Sequence, residues 1–409
     1  MDVCDTGPSP SPLQQSGHML TAITSSGRGR VLPRFLALFT LLAFSEICRA
    51  QTQPPYFPSR ESWEHRTPSE VGMDDALIAQ AIAYAQTQET DMPSDFSTQA
   101  EIFGKPLGPL PKDRASVNGV IICKGYIIAE FGDTLAADPT YSVAKSYLST
   151  ILGLTIDRGM IKSITDPVAD TIKDGGYDSL HNAKVAWQHH ATQTSEWEGT
   201  LFGKPHTFIG KEAFGKSEMK PREIQEPGTR FEYNDVRINR LSLSMLTLWK
   251  RPLPDVLKTE IMDPIGASQT WAFHAYDNAT VEIDGKQMKS ISGGTRWGAG
   301  LWMSTLDHAR FGYLILRKGN WGGKQIVSES WINEATKPQG VRGDYGYLWW
   351  LNTEGRWPAA PKGSFSAQGA GSNTIWIDPE HDLVVVWRWH KDTQAEFYKR
   401  ILAAIKPGK

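Results

Sequence analysis

Tyr141-Ser142-Val143-Ala144-Lys145-Ser146-Tyr147-Leu148 opens a strongly apolar predicted helix, with a serine three residues before a lysine. Positions three apart on a helix occupy neighbouring parts of one face, so Ser142 and Lys145 are expected to point into the same cleft. The hydroxyl then has an amine beside it. The Ser142 N–H is expected at the helix start, where unpaired donors and the dipole favour a developing oxyanion. Val143, Tyr147, Leu148, Ile151 and Leu152 fall on adjacent rows, and Asp157-Arg158-Gly159 supplies a C-terminal stop. By itself the spacing is explained as well by a helix-capping serine followed by a solvated lysine. Ser217-Glu218-Met219-Lys220 repeats it, but Pro221 follows at once among polar residues, and no apolar helix begins there.

Outward from this helix, the chain reads as strands and a helix at both ends with helices between them. Asp74-Asp75 precedes a helix over Ala76 to Ile82, and Met92 to Arg114 reads as a long surface loop. Two apolar runs, Gly119 to Cys123 and Tyr126 to Phe131, flank Lys124-Gly125 and predict a hairpin. From about Ile161 to Pro264 the pattern is helical and loop-like, with Arg240 to Met245-Leu246 the clearest helix; another spans Asp307 to Leu316. Strand signals return at Tyr347 to Leu351, Asn373 to Ile377 and Leu383 to Trp387, before a closing helix from about Thr393 to Ile405. This order predicts an α/β (α+β) fold: one sheet assembled from the two termini, with a helical insertion beside it. The sheet lobe takes about 66–140 and 291–407, and the helical lobe about 141–290. No internal repeat is visible.

With 409 residues, 40% hydrophobic and 22% charged, the composition is that of a folded globular protein. Its 43 basic and 45 acidic residues nearly balance, and the lack of a long basic run argues against a nucleic-acid partner. Most of the fifteen tryptophans are expected in the core, although Trp349-Trp350 and Trp387 with Trp389 could line an aromatic cleft. Arg28, Arg30 and Arg34 precede an apolar run from Phe35 to Phe44 and then Cys48-Arg49-Ala50, the order of a secretory signal. Residues 1–50 are therefore read as a signal peptide and upstream segment cleaved after Ala50, with Met19 an alternative start. The run falls short of the roughly 20 residues that span a bilayer, so no permanent membrane span is expected and the mature protein is placed in the periplasm or outside the cell. Cleavage leaves Cys123 alone, which precludes an intramolecular disulfide; in Val120-Ile121-Ile122-Cys123 it reads as a buried small hydrophobe.

Two further elements change the reading of Ser142. Pro227-Gly228-Thr229-Arg230-Phe231-Glu232-Tyr233-Asn234-Asp235 sets a tyrosine in a loop just before a helix. Free phenol and free ammonium both titrate near 10, so Tyr233 serves best as a base when paired with a close, partly desolvated ammonium such as that of Lys145. A core tyrosine with a bonded hydroxyl is the plainer explanation. Phe365-Ser366-Ala367-Gln368-Gly369-Ala370-Gly371 is a run of small residues leading into a strand. Glycines let a backbone approach a bound acyl group, and a strand-edge N–H can complete an oxyanion hole with that of Ser142, although by itself the run is explained as well by a simple turn.

In this order the three elements resemble the serine β-lactamase and penicillin-binding-protein superfamily, especially its class C-like branch of esterases and aminohexanoate-dimer hydrolases. The resemblance runs from about Thr67 to Trp389. It includes Glu70-Val71-Gly72-Met73, Ser195-Glu196-Trp197 in place of a more usual Ser-Gly, and Gly298 to Ser304 before Asp307-His308-Ala309-Arg310-Phe311-Gly312. It implies a central antiparallel sheet flanked by helices, with an inserted all-helical lobe. It also implies Ser142 as nucleophile, Lys145 and Tyr233 as proton relay, and Asp235, Gln368, Gly369 and Ala370 at the substrate and the oxyanion hole. Two departures bear on the substrate. Asp235 stands where β-lactamases have Asn, although related esterases also carry Asp. Ala367 stands where β-lactamases and transpeptidases keep a lysine for the substrate carboxylate.

Ester or amide hydrolysis through an acyl-enzyme is thus the expected activity, on a small-molecule ester, amide or peptide. A β-lactamase, a cell-wall peptidase and a non-turnover sensor are the competing readings. No cofactor or metal is expected. A GxSxG elbow, a HExxH helix, a phosphate loop and a dinucleotide glycine fingerprint are absent from the sequence, and the adjacent His189-His190 have poor geometry for a shared metal.

Overall fold

A computed structural model describes residues 54–96, 111–208, 222–292 and 300–407. The predicted signal peptide, the second Ser-x-x-Lys at 217–220 and Gly298-Ala299 lie outside the described residues. Among those described, no helix is long and apolar enough to cross a membrane.

The predicted hairpin forms from β1 (Asn118–Cys123) and β2 (Tyr126–Phe131). Its two loop residues, Lys124 and Gly125, have φ of 52° and 91°, the left-handed pair whose twist matches that of the flanking strands. A short β3 (Asp138–Pro139) follows, and a second hairpin is made by β4 (Ala272–Ile283) and β5 (Lys286–Ile291). The other strands of the two larger sheets are β6 (Gly300–Met303), β7 (Trp350–Leu351), β8 (Phe365–Gly369), β9 (Asn373–Asp378) and β10 (Leu383–Arg388).

The six-stranded antiparallel sheet has the order β7-β8-β9-β10-β1-β2. The two ends of the chain meet at its centre, where Val120 pairs with Val386 and Ile121 with Val385. β1 and β10 are buried along their whole length. Val120 and Ile122 face one apolar cluster and Ile121 and Cys123 the other, the two-residue alternation of a strand covered on both faces. Burial pushes the Cys123 thiol up to about 12, in keeping with an inert core residue.

Helices α1 (Asp75–Gln86) and, at the C-terminal end, Gln394–Ala403 cover one face of this sheet. The other face carries α2 (Ala144–Asp157) and the helix Thr305–Leu316. α2 is buried from Ala144 to Thr155 and stops where Gly159 takes φ 67°, as the sequence predicts. Its start differs from the prediction, because Tyr141–Val143 form a 3₁₀ turn and the α-helix proper begins at Ala144. α3 (Asp235–Trp249) is longer than the core legible in the sequence and is capped by Asn234, whose side chain accepts the N–H of Arg237.

The all-helical lobe expected at about 141–290 needs correction. β4 and β5 lie within that range and join β3 and β6 in a second sheet of order β3-β6-β4-β5. Asp284 and Gly285 turn the hairpin with φ of 50° and 74°, so the Asp-Gly pair was its available signal. Alanines at 272, 275 and 279, poor strand formers, obscured it. The strand expected over Tyr347 to Leu351 shortens to β7, because Leu348 takes φ 63° and its N–H goes to Ala191 O.

Candidate active site

β3 ends at Pro139, and the chain must then turn sharply to enter α2. Tyr141 makes that turn with φ 48°, a strained value for a residue with a side chain. Its surroundings hold it there: the ring is buried and meets Trp389 edge-on at 6.0 Å, and Thr140 N–H donates to Leu301 O. Ser142 follows immediately.

Lys145, one turn into the helix, brings Nζ to 3.1 Å from Ser142 Oγ. The same Nζ lies 2.6 Å from Asp235 Oδ1, with the two side chains only 2% and 6% exposed. It also sits 4.6 Å from the centroid of the Tyr233 ring. Thus the start of α2 and the start of α3 bring Ser142, Lys145, Tyr233 and Asp235 together. The sequence reading places Asp235 at the substrate; the structure adds that its carboxylate pairs with the buried Lys145, whose Nζ faces the Tyr233 ring.

Tyr233 is held by aromatic neighbours. Its ring stacks on Trp350 at 5.7 Å and meets Tyr345 edge-on at 6.5 Å. Arg356 lies 4.5 Å from the Trp350 ring and, with Arg342, pairs with Asp344. Trp350, one of the tryptophans expected to line a cleft, therefore does flank the candidate base, while Trp349 and Trp387 are core residues.

β8 supplies the third side. A Cβ at Gly369 would lie 2.3 Å from Thr140 O and 3.2 Å from Ser142 N, so only glycine lets this strand press against the Ser142 turn. Its φ of −140° is ordinary extended backbone, and the requirement is steric. Ala370 follows, packed against the Tyr141, Trp302 and Trp389 cluster. Pairing between β7 and β8 stops at Ser366, which leaves the outer edge of Ala367 to Gly369 without a strand neighbour among the described residues. Ala367 is buried in the core, and Gln368 Nε2 is buried with no hydrogen-bond partner among the described residues.

A charged cluster behind Tyr233 was not legible in the sequence beyond the unusual Ser195-Glu196-Trp197. Glu196 is fully buried and binds both Arg222 and Arg237. Burial pushes its carboxyl up, but Arg222, the Gln225 N–H and Arg237 outweigh that and hold it at about 2. His189 and His190 do not form a shared site. His189 Nδ1 accepts the Ala186 N–H, and His190 Nε2 meets the Tyr177 hydroxyl at 3.0 Å.

A family model described as Beta-lactamase matches residues 139–406, which include Ser142, Lys145, Glu196, Tyr233, Asp235 and Ala370. Among solved structures, the chain is similar to a putative beta-lactamase from Bacteroides dorei DSM 17855, with 14% identity, a TM-score of 0.53, and 70% of this chain and 93% of that one covered. It is similar to EstCE1, a hydrolase with promiscuous acyltransferase activity, at 14% identity and a TM-score of 0.54, covering 82% of this chain and 99% of that one. A family VIII carboxylesterase aligns at 15% identity and a TM-score of 0.51, over 72% of this chain and 92% of that one. At these identities the likeness establishes the fold. No curated protein matches the chain at a significant level. With the family model matching well over half of its residues, the chain belongs to the beta-lactamase family.

Proposed function

We propose that the protein is a serine hydrolase that cleaves an ester or amide bond through an acyl-enzyme on Ser142. The observation that carries this reading is the 3.1 Å approach of Lys145 Nζ to Ser142 Oγ at the entrance of a buried helix. Ser142 Oγ attacks the acyl carbon, and its proton passes to the Tyr233–Lys145 pair. The N–H groups of Ser142 and Ala370 receive the oxyanion, and the leaving alcohol or amine departs with the proton. Water activated by the same pair then attacks the acyl carbon, and Ser142 recovers its proton. Asp235 orients Lys145 through the buried contact between Nζ and Oδ1.

Ala367 supports an ester or amide over a β-lactam. Ala367 is buried, and by the resemblance to β-lactamases its position is the one where a lysine would bind the substrate carboxylate. The similar folds of EstCE1 and the family VIII carboxylesterase accord with this choice. We place the enzyme in the periplasm or outside the cell, on the strength of the N-terminal signal pattern.

Replacing Ser142 by Ala is expected to lower hydrolysis of p-nitrophenyl butyrate by about 10⁴-fold or more and to abolish labelling by a fluorophosphonate. Retained turnover rejects the assignment. Rapid nitrocefin hydrolysis by the wild type would instead favour a β-lactamase, and labelling without turnover a sensor.

A further inference from the structure

We infer that Glu196 is a positioning residue for Tyr233 and Asp235, acting through a cage of two arginines and a second carboxylate; the inference rests on the hydrolase reading of Ser142. Glu196 is fully buried, and its carboxylate has four donors. Arg222 Nη1 and Nη2 approach at 2.7 and 2.6 Å, Arg237 Nη1 at 2.9 Å and Gln225 N–H at 2.9 Å. Both arginines also bind Glu232, the residue before Tyr233: Arg222 Nη2 at 2.6 Å and Arg237 Nη1 at 3.0 Å.

The cage thus joins three chain segments. It clamps Glu232 on one side of Tyr233 and, through Arg237, the first turn of α3 on the other, where Asp235 meets Lys145. The backbone is tied to the same loop as Glu196. Glu232 N–H donates to Gln193 O at 2.8 Å, and Asn234 N–H to Gln193 Oε1 at 3.0 Å. Gln193 and Glu196 both hold positive φ, 60° and 48°, conformations that persist only when the surroundings enforce them. Apolar side chains could fill this volume without desolvating four charges, whereas directional charged bonds fix the orientation of what they hold.

The test uses the full chain and the Glu196→Gln variant, which keeps the shape and removes the charge. Active sites are counted by stoichiometric fluorophosphonate labelling, so that a loss of folded protein does not register as a loss of rate. The positioning role predicts that kcat for p-nitrophenyl butyrate per labelled site falls about 10- to 100-fold, that KM stays within about two-fold, and that the labelling rate falls in parallel. Arg222→Gln, at a side chain 22% exposed, gives a smaller fall of the same kind and serves as the test if Glu196→Gln does not fold. Unchanged kcat per labelled site, or a rise in KM alone, overturns the inference. A wild type that neither labels nor turns over overturns the hydrolase reading itself, and the inference with it.

Discussion

Lys145 Nζ lies 2.6 Å from Asp235 Oδ1, a contact in the candidate site that reading along the chain could not supply. Ser142 and Lys145 are three residues apart, so helical geometry alone places them together. Asp235 is 90 residues further on than Lys145, and only the packing of α2 against α3 makes it a counterion. The ion pair has a definite energetic consequence. Removing one partner of a buried pair strands the other charge, at a cost of roughly 3–5 kcal/mol. Asp235→Ala is therefore expected to lose about that much stability in urea unfolding, together with most ester hydrolysis. Asp235→Asn keeps an acceptor oxygen toward Lys145 and is expected to lose less of both. Equal effects of the two variants would show that the bond geometry at Asp235 is unimportant.

Among the elements, β8 was only partly legible, because its run of small residues allowed a close backbone approach but fitted a simple turn as well. The structure identifies what is approached: Thr140 O and the N–H of Ser142, both within reach of any side chain at Gly369. Gly369→Ala must drive β8 and the Ser142 turn apart, since a Cβ 2.3 Å from a carbonyl oxygen has no flexible neighbour to yield. We expect kcat for p-nitrophenyl butyrate to fall by about 100-fold, because a displacement near 1 Å costs that much in a positioned site. Circular dichroism and the unfolding midpoint should change far less than the rate, and an unaffected rate would remove β8 from the oxyanion hole. The β4–β5 hairpin was hidden for the opposite reason. Its alanines carry little strand preference, and burial in a second sheet, a tertiary effect, decides the conformation.

At the scale of the described fold, the central sheet and the chain entering the Ser142 turn are locked together by Arg388, at the end of β10. The side chain is buried, and it donates to Asn373 Oδ1 at 2.8 Å, to Met303 O at 2.6 Å and to Pro139 O at 3.1 Å. One guanidinium thereby joins β9 and β10 of the large sheet to β3 and β6 of the second. Burial draws its affinity for a proton down, and Asp138 opposes that. That the sheet draws on both termini was readable from the order of apolar runs. The lock was not, since an arginine beside Trp387 and Trp389 reads equally well as the exposed end of a strand. Pro139 is three residues before Ser142, so loss of this donor should loosen the chain that enters the strained Tyr141 turn. Arg388→Met, which keeps the length and removes the donors, is expected to cost roughly 3 kcal/mol or more, as two buried carbonyls and Asp138 lose their compensation. It should also slow fluorophosphonate labelling of Ser142 several-fold at temperatures well below the unfolding midpoint. Destabilisation with an undiminished labelling rate would show that α2 and the Tyr141–Trp389 packing hold the nucleophile without help from the junction between the sheets.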